Sequence, residues 1–282
     1  MRELYSERKE GHRHGPGRDG SCKNMRLYGH YISILLRSAM QYKASFLLGA
    51  AGQLFVSFHE LLGLYFIFDR FSMIKGYTYQ EALLCYGIML LGFSIAQCQA
   101  RGFESFHYLV RSGEFDRMMV RPRSAVLQVL GSRLEMNRFF RIVLALVMFF
   151  YGAAHCQVTW TLDKTAVVVF MVIGVYLLYT GLFLLGASIS FFTIEDGGFL
   201  NVLIYGGNTH GKYPVDIYGK RMLQFCTYVV PYALVQYYPL QYLLGRTGHL
   251  EYALYPFGAV IFILVCYSAW RFGVRHYQSA GS

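Results

Sequence analysis

The sequence predicts an all-α integral membrane protein with six transmembrane helices. Three observations lead there. Hydrophobic residues fill 55% of the 282 positions and charged residues only 15%, against about 25% charged in soluble domains. Six apolar segments are each long enough for a bilayer, which takes about 20 residues. The 26 Lys and Arg residues divide very unequally between the two sides that these segments define. The net charge of +10 is therefore explained by a membrane surface, and nucleic acid is not an expected partner.

Residues 1–24 are charged and rich in Gly and His, which predicts a disordered cytoplasmic tail. His12 and His14 are too few for a metal site, and no metal or cofactor is expected in the chain. Six scattered cysteines without a CxxC pair read as small buried hydrophobes. No cleavable signal peptide is expected, since the first long apolar run starts at Ser45. Within residues 25–44, Tyr28, Tyr31, Ile32, Leu35, Leu36, Ala39 and Met40 recur at helical spacing, with Arg26, Arg37 and Lys43 off that stripe. This is an amphipathic interfacial helix, its basic face toward the headgroups. The six-helix domain is expected over residues 45–273 and a short cytoplasmic tail over 274–282.

The predicted spans are Ser45–Phe68, Ala82–Ala100, Phe139–Trp160, Thr165–Phe192, Met222–Leu244 and Leu254–Trp270. With both termini cytoplasmic, 22 basic residues fall inside and 4 outside, which fixes the orientation by the positive-inside rule. The segment Thr193–Arg221 is then a second cytoplasmic stretch, and the outer loops are short. Arg141, near the inner end of span three, is expected to snorkel.

The stretch 101–138 is the long polar interruption between spans, and the charge split places it in the cytoplasm. Phe103, Phe106 and Val110 lie on one helix face. Gly113 can stop that helix, Glu114-Phe115-Asp116 forms an acidic-aromatic knob, and Arg121-Pro122 breaks the chain. Ser124 can cap a second helix carrying Leu127, Leu130 and Leu134. Such a segment suits contact with another protein, and a plain solvated loop is the competing reading.

Glu60, beside His59, is the clear carboxylate within a span, and Gln53, Gln97 and Gln99 are neutral companions. Gly174, Gly181 and Ser188 in span four repeat every seven residues, with Gly186 and Ser190 four apart, a pattern that permits close helix approach. In span five Pro231 can kink the helix and Pro239 can end it. Tyr228, Tyr232 and Gln236 there, with Tyr237 and Tyr238, would give a partly polar aromatic wall, unless they form an interfacial belt. No GxxxxGK[ST] loop, HExxH or GxSxG occurs, so the chain carries no such phosphate loop or hydrolytic motif.

Gly113-Glu114-Phe115-Asp116-Arg117, then Val120-Arg121-Pro122-Arg123 and Gln128-Val129-Leu130-Gly131, resemble the cytoplasmic loop of ABC-2 export permeases, within a bacterial branch that pairs two permeases. Lys212-Tyr213-Pro214-Val215, Val230-Pro231-Tyr232-Ala233 and Tyr238-Pro239-Leu240 with Leu243-Leu244-Gly245 are similar to a later run of the same branch. The resemblance covers nearly the whole chain after Asn24. It implies a bacterial inner-membrane permease, not an enzyme itself, working with a second permease chain and an ABC ATPase dimer that binds ATP and magnesium. It implies a coupling helix ahead of Gly113, with Phe103, Phe106, Val110, Glu114, Phe115, Asp116, Arg117 and Arg121 in the coupling region. It also implies export of drugs, lipids, peptides or toxic organic cations. Glu60, Tyr228, Tyr232 and Gln236 are the expected pathway residues. The alternative is a self-sufficient proton-coupled carrier using Glu60; a membrane-embedded enzyme would need clustered catalytic side chains that the spans lack.

Overall fold

The computed structural model describes residues 43–133, 135–193 and 198–277, and all named elements there are helical. The tail expected over 1–24, Leu134, residues 278–282 and the interfacial helix expected over 25–44 lie outside the described residues, apart from Lys43 and Ala44 at the start of the first helix, while residues 274–276, expected as tail, belong to the last helix. Four helices are long and apolar enough to cross a membrane: α1 (Lys43–Arg70), α2 (Tyr79–Gln99), α8 (Leu162–Thr193) and the run Glu251–His276. The run comprises α13 (Glu251–Leu254), a 3-10 turn and α14 (Gly258–His276). These match predicted spans one, two, four and six.

α2 is the centre of the bundle, buried along almost its whole length. Its start is set by a capping box: Glu81 N–H donates to Thr78 Oγ1 at 3.4 Å, and Thr78 N–H donates to Glu81 Oε2 at 2.9 Å. Lys75 and Gly76, both at positive φ, turn the chain just ahead of it. α2 packs closely on α7 (Phe139–His155). A Cβ placed on Gly87 would come within 2.8 Å of the Phe149 backbone, and one on Gly152 within 2.9 Å of the Leu84 backbone. Two glycines facing each other's backbones let these helices approach more nearly than side chains would allow. In α8, Gly174 and Gly181 also serve as contact points, against Val235 and Pro256 and against Phe262, but Gly186 makes no tight contact.

α7 has 17 residues, five fewer than the predicted third span, because the chain is extended from Cys156. Arg141 in α7 does not snorkel. It is 5% exposed, donates through Nη1 to Gln97 Oε1 at 3.3 Å and lies over the Phe93 ring. α1, by contrast, buries only Ala50, Ser57, Leu64 and Phe68. That spacing is a single narrow seam, and the rest of its apolar surface faces outward.

Four short helices form the stretch between α2 and α7: α3 (Arg101–Glu104), α4 (Phe106–Arg111), α5 (Glu114–Met119) and α6 (Ala125–Ser132). The single helix expected ahead of Gly113 is interrupted at Ser105, whose hydroxyl donates to the Arg101 carbonyl at 3.0 Å and bends the chain. Gly113 ends α4 in the left-handed region, φ 68°, as a helix stop requires. Ser124 precedes α6 as expected but makes no side-chain cap bond.

The largest departure from expectation follows α8. Thr193–Arg221 is not one cytoplasmic loop. α9 (Gly198–His210) starts at the 101–138 end, where the Tyr205 hydroxyl donates to Glu104. The chain then reaches the opposite end: Tyr213 stacks on Phe68 of α1, and Lys75 Nζ donates to the Asp216 carbonyl at 2.6 Å. From there α10 (Lys220–Tyr228) turns back and Pro231 breaks the helix rather than kinking it. α11 (Tyr232–Val235) and α12 (Tyr237–Leu243) return to the Lys75 end, where Arg246 Nη2 donates to the Gly76 carbonyl at 2.7 Å. The predicted fifth span, Met222–Leu244, is thus three short helices that enter and leave at the same end. Asn201, Gly206, Gly207 and Asn208 make α9 weakly apolar, so hydropathy alone reads it as a loop.

Candidate functional site

Two regions carry the expected functional residues, one at the 101–138 end and one within the bundle. At the 101–138 end the aromatic residues turn inward. Phe103, Phe106, Val110 and Phe115 are buried, Phe106 and Phe115 completely. Phe106 packs edge-on against Phe115 at 4.9 Å, Phe191 of α8 at 4.9 Å and Trp270 of α14 at 5.0 Å. Phe115 meets Phe191 and Tyr277, and Phe103 meets Trp270. Such ring contacts add about 0.5–1.5 kcal/mol each to the area buried. The four apolar residues expected to face a partner therefore fasten the stretch to the ends of α8 and α14.

The outward face is different. Glu114, Arg117 and Arg121 are exposed and, with Met118, line a shallow depression of about 200 Å³. Asp116 is half-buried. Exposed apolar side chains accompany them: Tyr108, Met119 and Val120, the last 86% exposed. Behind this face Gln128, named above only as part of the Gln128–Gly131 run, donates through Nε2 to the carbonyls of Met118 (3.0 Å) and Arg123 (3.2 Å). It pins α6 to the end of α5 and to the turn at Pro122. A chain of charges ties the stretch to α1 as well: Arg101 pairs with Glu104 and Glu135, Glu135 with Arg138, and Arg138 donates to Gln53.

Within the bundle, Glu60 is not a lone carboxylate. It accepts from the Tyr86 hydroxyl and lies 3.5 Å from Lys212 Nζ, both side chains mostly buried. Lys212 follows α9 directly, so the pairing joins α1, α2 and the α9 segment. A buried charge is tolerable only when so paired.

Next to it lies a cavity of about 170 Å³ between α9 and α10, mostly apolar, with Tyr232 and Gln236 in its wall. Leu203, Met222, Phe225 and Cys226 supply much of the rest. The Tyr232 hydroxyl donates to the Leu203 carbonyl at 2.8 Å, and a Cβ on Gly207 would strike the Tyr232 ring. Gln236 is fully buried. Its Nε2 donates to the Gly211 and Tyr213 carbonyls at 2.8 and 3.0 Å. Two carbonyls there admit only the NH2 group, which fixes the orientation of the amide. Tyr228, by contrast, is 84% exposed on the outer face of α10 and does not line the cavity. The structure thus brings Tyr232 and Gln236 together in one wall, while Glu60, paired with Lys212, and the exposed Tyr228 are not among the residues lining the cavity. The signal for Lys212 and Gly207 was present only as the Lys-Tyr-Pro and Gly-Gly runs.

The family model described as ABC-2 family transporter protein matches residues 54–281. No curated protein and no solved structure matches the chain.

Proposed function

The chain belongs to the ABC-2 family of transporter proteins, and from that premise we propose that it is the permease subunit of an ATP-driven exporter. It is a multi-pass membrane protein with several apolar helices. Six passes cross the bilayer: α1, α2, α7, α8, α9 and α13–α14, with α9 as the fifth. The 101–138 end is cytoplasmic. Removing Lys212, Lys220 and Arg221 from that side leaves 19 of the 26 basic residues there, still a strong inside bias. The membrane is the bacterial inner membrane.

The observation that carries the proposal is the divided character of the 101–138 stretch. One face presents Tyr108, Glu114, Arg117, Val120 and Arg121 to solvent, and the other is bound by aromatic rings to α8 and α14. That is the construction of a transmitter. A separate ABC ATPase dimer, which binds ATP and magnesium, pushes on the outward face, and the rings deliver the displacement to two spans. This chain supplies no nucleotide site and acts without catalysing hydrolysis. A second permease chain and lipid cover the broad apolar face of α1. The cargo is an amphiphilic compound, and Tyr232, Gln236 and the Glu60–Lys212 pair border its route.

Affinity purification of the full chain from its native membrane should recover an ABC ATPase together with nucleotide hydrolysis. Arg117→Glu with Arg121→Glu should lose both while the permease remains folded. Solute movement driven by a proton gradient through the chain alone, with no ATPase present, would overturn the proposal.

A further inference from the structure

The cavity between α9 and α10 is open at its side. Val202, His210, Tyr218 and Phe225 line it and are exposed, Val202 to 72%. The wall behind them is mostly apolar. An apolar cavity of about 150 Å³ holds a benzene ring. At about 170 Å³ this one holds a single hydrocarbon segment of about six carbons, not two chains side by side. The charges at its edge come from α10. Arg221 lies one turn ahead of Phe225 on the same face of the helix, and Lys220 precedes it. Both are exposed, and among the described residues neither has a hydrogen-bond or ion-pair partner. α10 starts there without a side-chain cap, which adds the positive end of its dipole. No carboxylate lines the cavity. Asp216, the acid nearest in sequence, has Lys75 Nζ at its own carbonyl. Two cations without counter-charges, beside an open apolar space, are complementary to an anionic head on a hydrocarbon tail.

We propose that this cavity binds a single-chain anionic amphiphile, an alkyl phosphate or its carboxylate equivalent. Its tail enters past Val202 and Phe225 and packs against Leu203 and Met222, and its head rests on Arg221 and Lys220. That this molecule is cargo rests on the permease reading; that it binds does not. The charge also narrows the expected substrate class, since an organic cation meets its own sign of charge at Lys220 and Arg221.

The test uses the purified full-length chain in phosphatidylcholine nanodiscs without ATPase. Equilibrium binding of decyl phosphate, decanol and decyltrimethylammonium is measured, with partition into empty discs subtracted. Decyl phosphate should bind saturably and about tenfold more tightly than decanol, the worth of one charge-assisted contact, and the cation most weakly. Lys220→Gln with Arg221→Gln tests the head. Both positions are exposed, so helical content should be unchanged while the phosphate-to-alcohol ratio falls to about 1. Gly206→Leu tests the tail. Gly206 lines the cavity, and a Cβ there meets nothing within 4 Å, so the added side chain takes the tail's place without a clash. It should weaken decyl phosphate at least about tenfold. Equal affinity for phosphate and alcohol in the native chain would overturn the assignment. So would tighter binding of the cation, an unchanged ratio in the double variant, or full binding by Gly206→Leu. A two-chain phospholipid that co-purifies with the native chain and is lost in Gly206→Leu would give the cavity to a bilayer lipid, and would overturn it too. Decyl phosphate binding without a co-purifying ATPase would sink the permease reading and leave the site standing; an ATPase without decyl phosphate binding would do the reverse.

Discussion

Phe115 and Arg117 are two residues apart and answer to different surroundings. Phe115 is fully buried among Phe106, Phe191 and Tyr277. Truncating it to Ala opens a cavity and should cost about 3–5 kcal/mol, read as a lowered midpoint in thermal unfolding. Arg117 faces solvent, and its reversal to Glu should shift stability by no more than about 0.5 kcal/mol while reducing ATPase recovery. If Phe115→Ala leaves the unfolding midpoint unchanged, the aromatic packing is not what holds the stretch. Glu60 and Lys212 allow a similar separation. Glu60→Gln leaves the Lys212 ammonium buried without its counter-charge and should cost about 3–5 kcal/mol. Adding Lys212→Met removes the stranded charge and should recover most of that loss. A double variant no more stable than Glu60→Gln would show that the two groups are not coupled.

At the scale of elements, the α2–α7 crossing depends on two glycines that face each other's backbones. Gly152→Val would press a branched side chain on the Leu84 backbone. Overpacking of this kind costs about 1–3 kcal/mol, and the variant should lose thermal stability and yield, measured by fluorescence-detected size exclusion. Native-like behaviour would mean that the helices slide apart freely. The same crossing shows what the sequence could and could not disclose. Four long apolar runs announced α1, α2, α8 and α14 within a few residues, because hydropathy over 20 residues is a strong signal. Gly113 announced its turn, because few residues accept positive φ. The Gly87–Gly152 pairing was illegible, since it depends on which helices meet. The common face of Phe103, Phe106 and Val110 was legible but its direction was not: spacing places the three together without saying whether that face looks out or in.

At the scale of the whole molecule, the misread segment was the one whose backbone receives side-chain donors from later in the chain. α9 carries Asn and Gly residues that hydropathy assigns to water, yet its backbone accepts from Tyr232 and the segment after it from Gln236. The path has a direct check. Single cysteines at Asp216 and at Arg121 should react with a membrane-impermeant maleimide from opposite sides of sealed vesicles. Labelling of both from one side would return Thr193–Arg221 to a single surface. With that path, the bundle has one end cross-braced by aromatic rings and ion pairs, and another where short helices surround a cavity. The edge-on rings at the braced end join the 101–138 stretch to α8 and α14, and α1 is joined to the bundle by a narrow buried seam and by contacts of Gln53, Glu60 and Phe68.

The late position of Tyr232 also bears on how the chain is made. Tyr232 follows its acceptor, Leu203, by 29 residues. Before Tyr232 and Gln236 are in place, α9 and the segment after it lack the donors that their backbone carbonyls accept from. α9 is too short and too polar to settle in lipid unaided, so its entry waits on the arrival of α10–α12. A nascent chain truncated at residue 215 should leave α9 accessible to water on the synthetic side. Extension to residue 245 should draw it in, making integration of this part of the protein a joint step of α9–α12 rather than a stepwise threading.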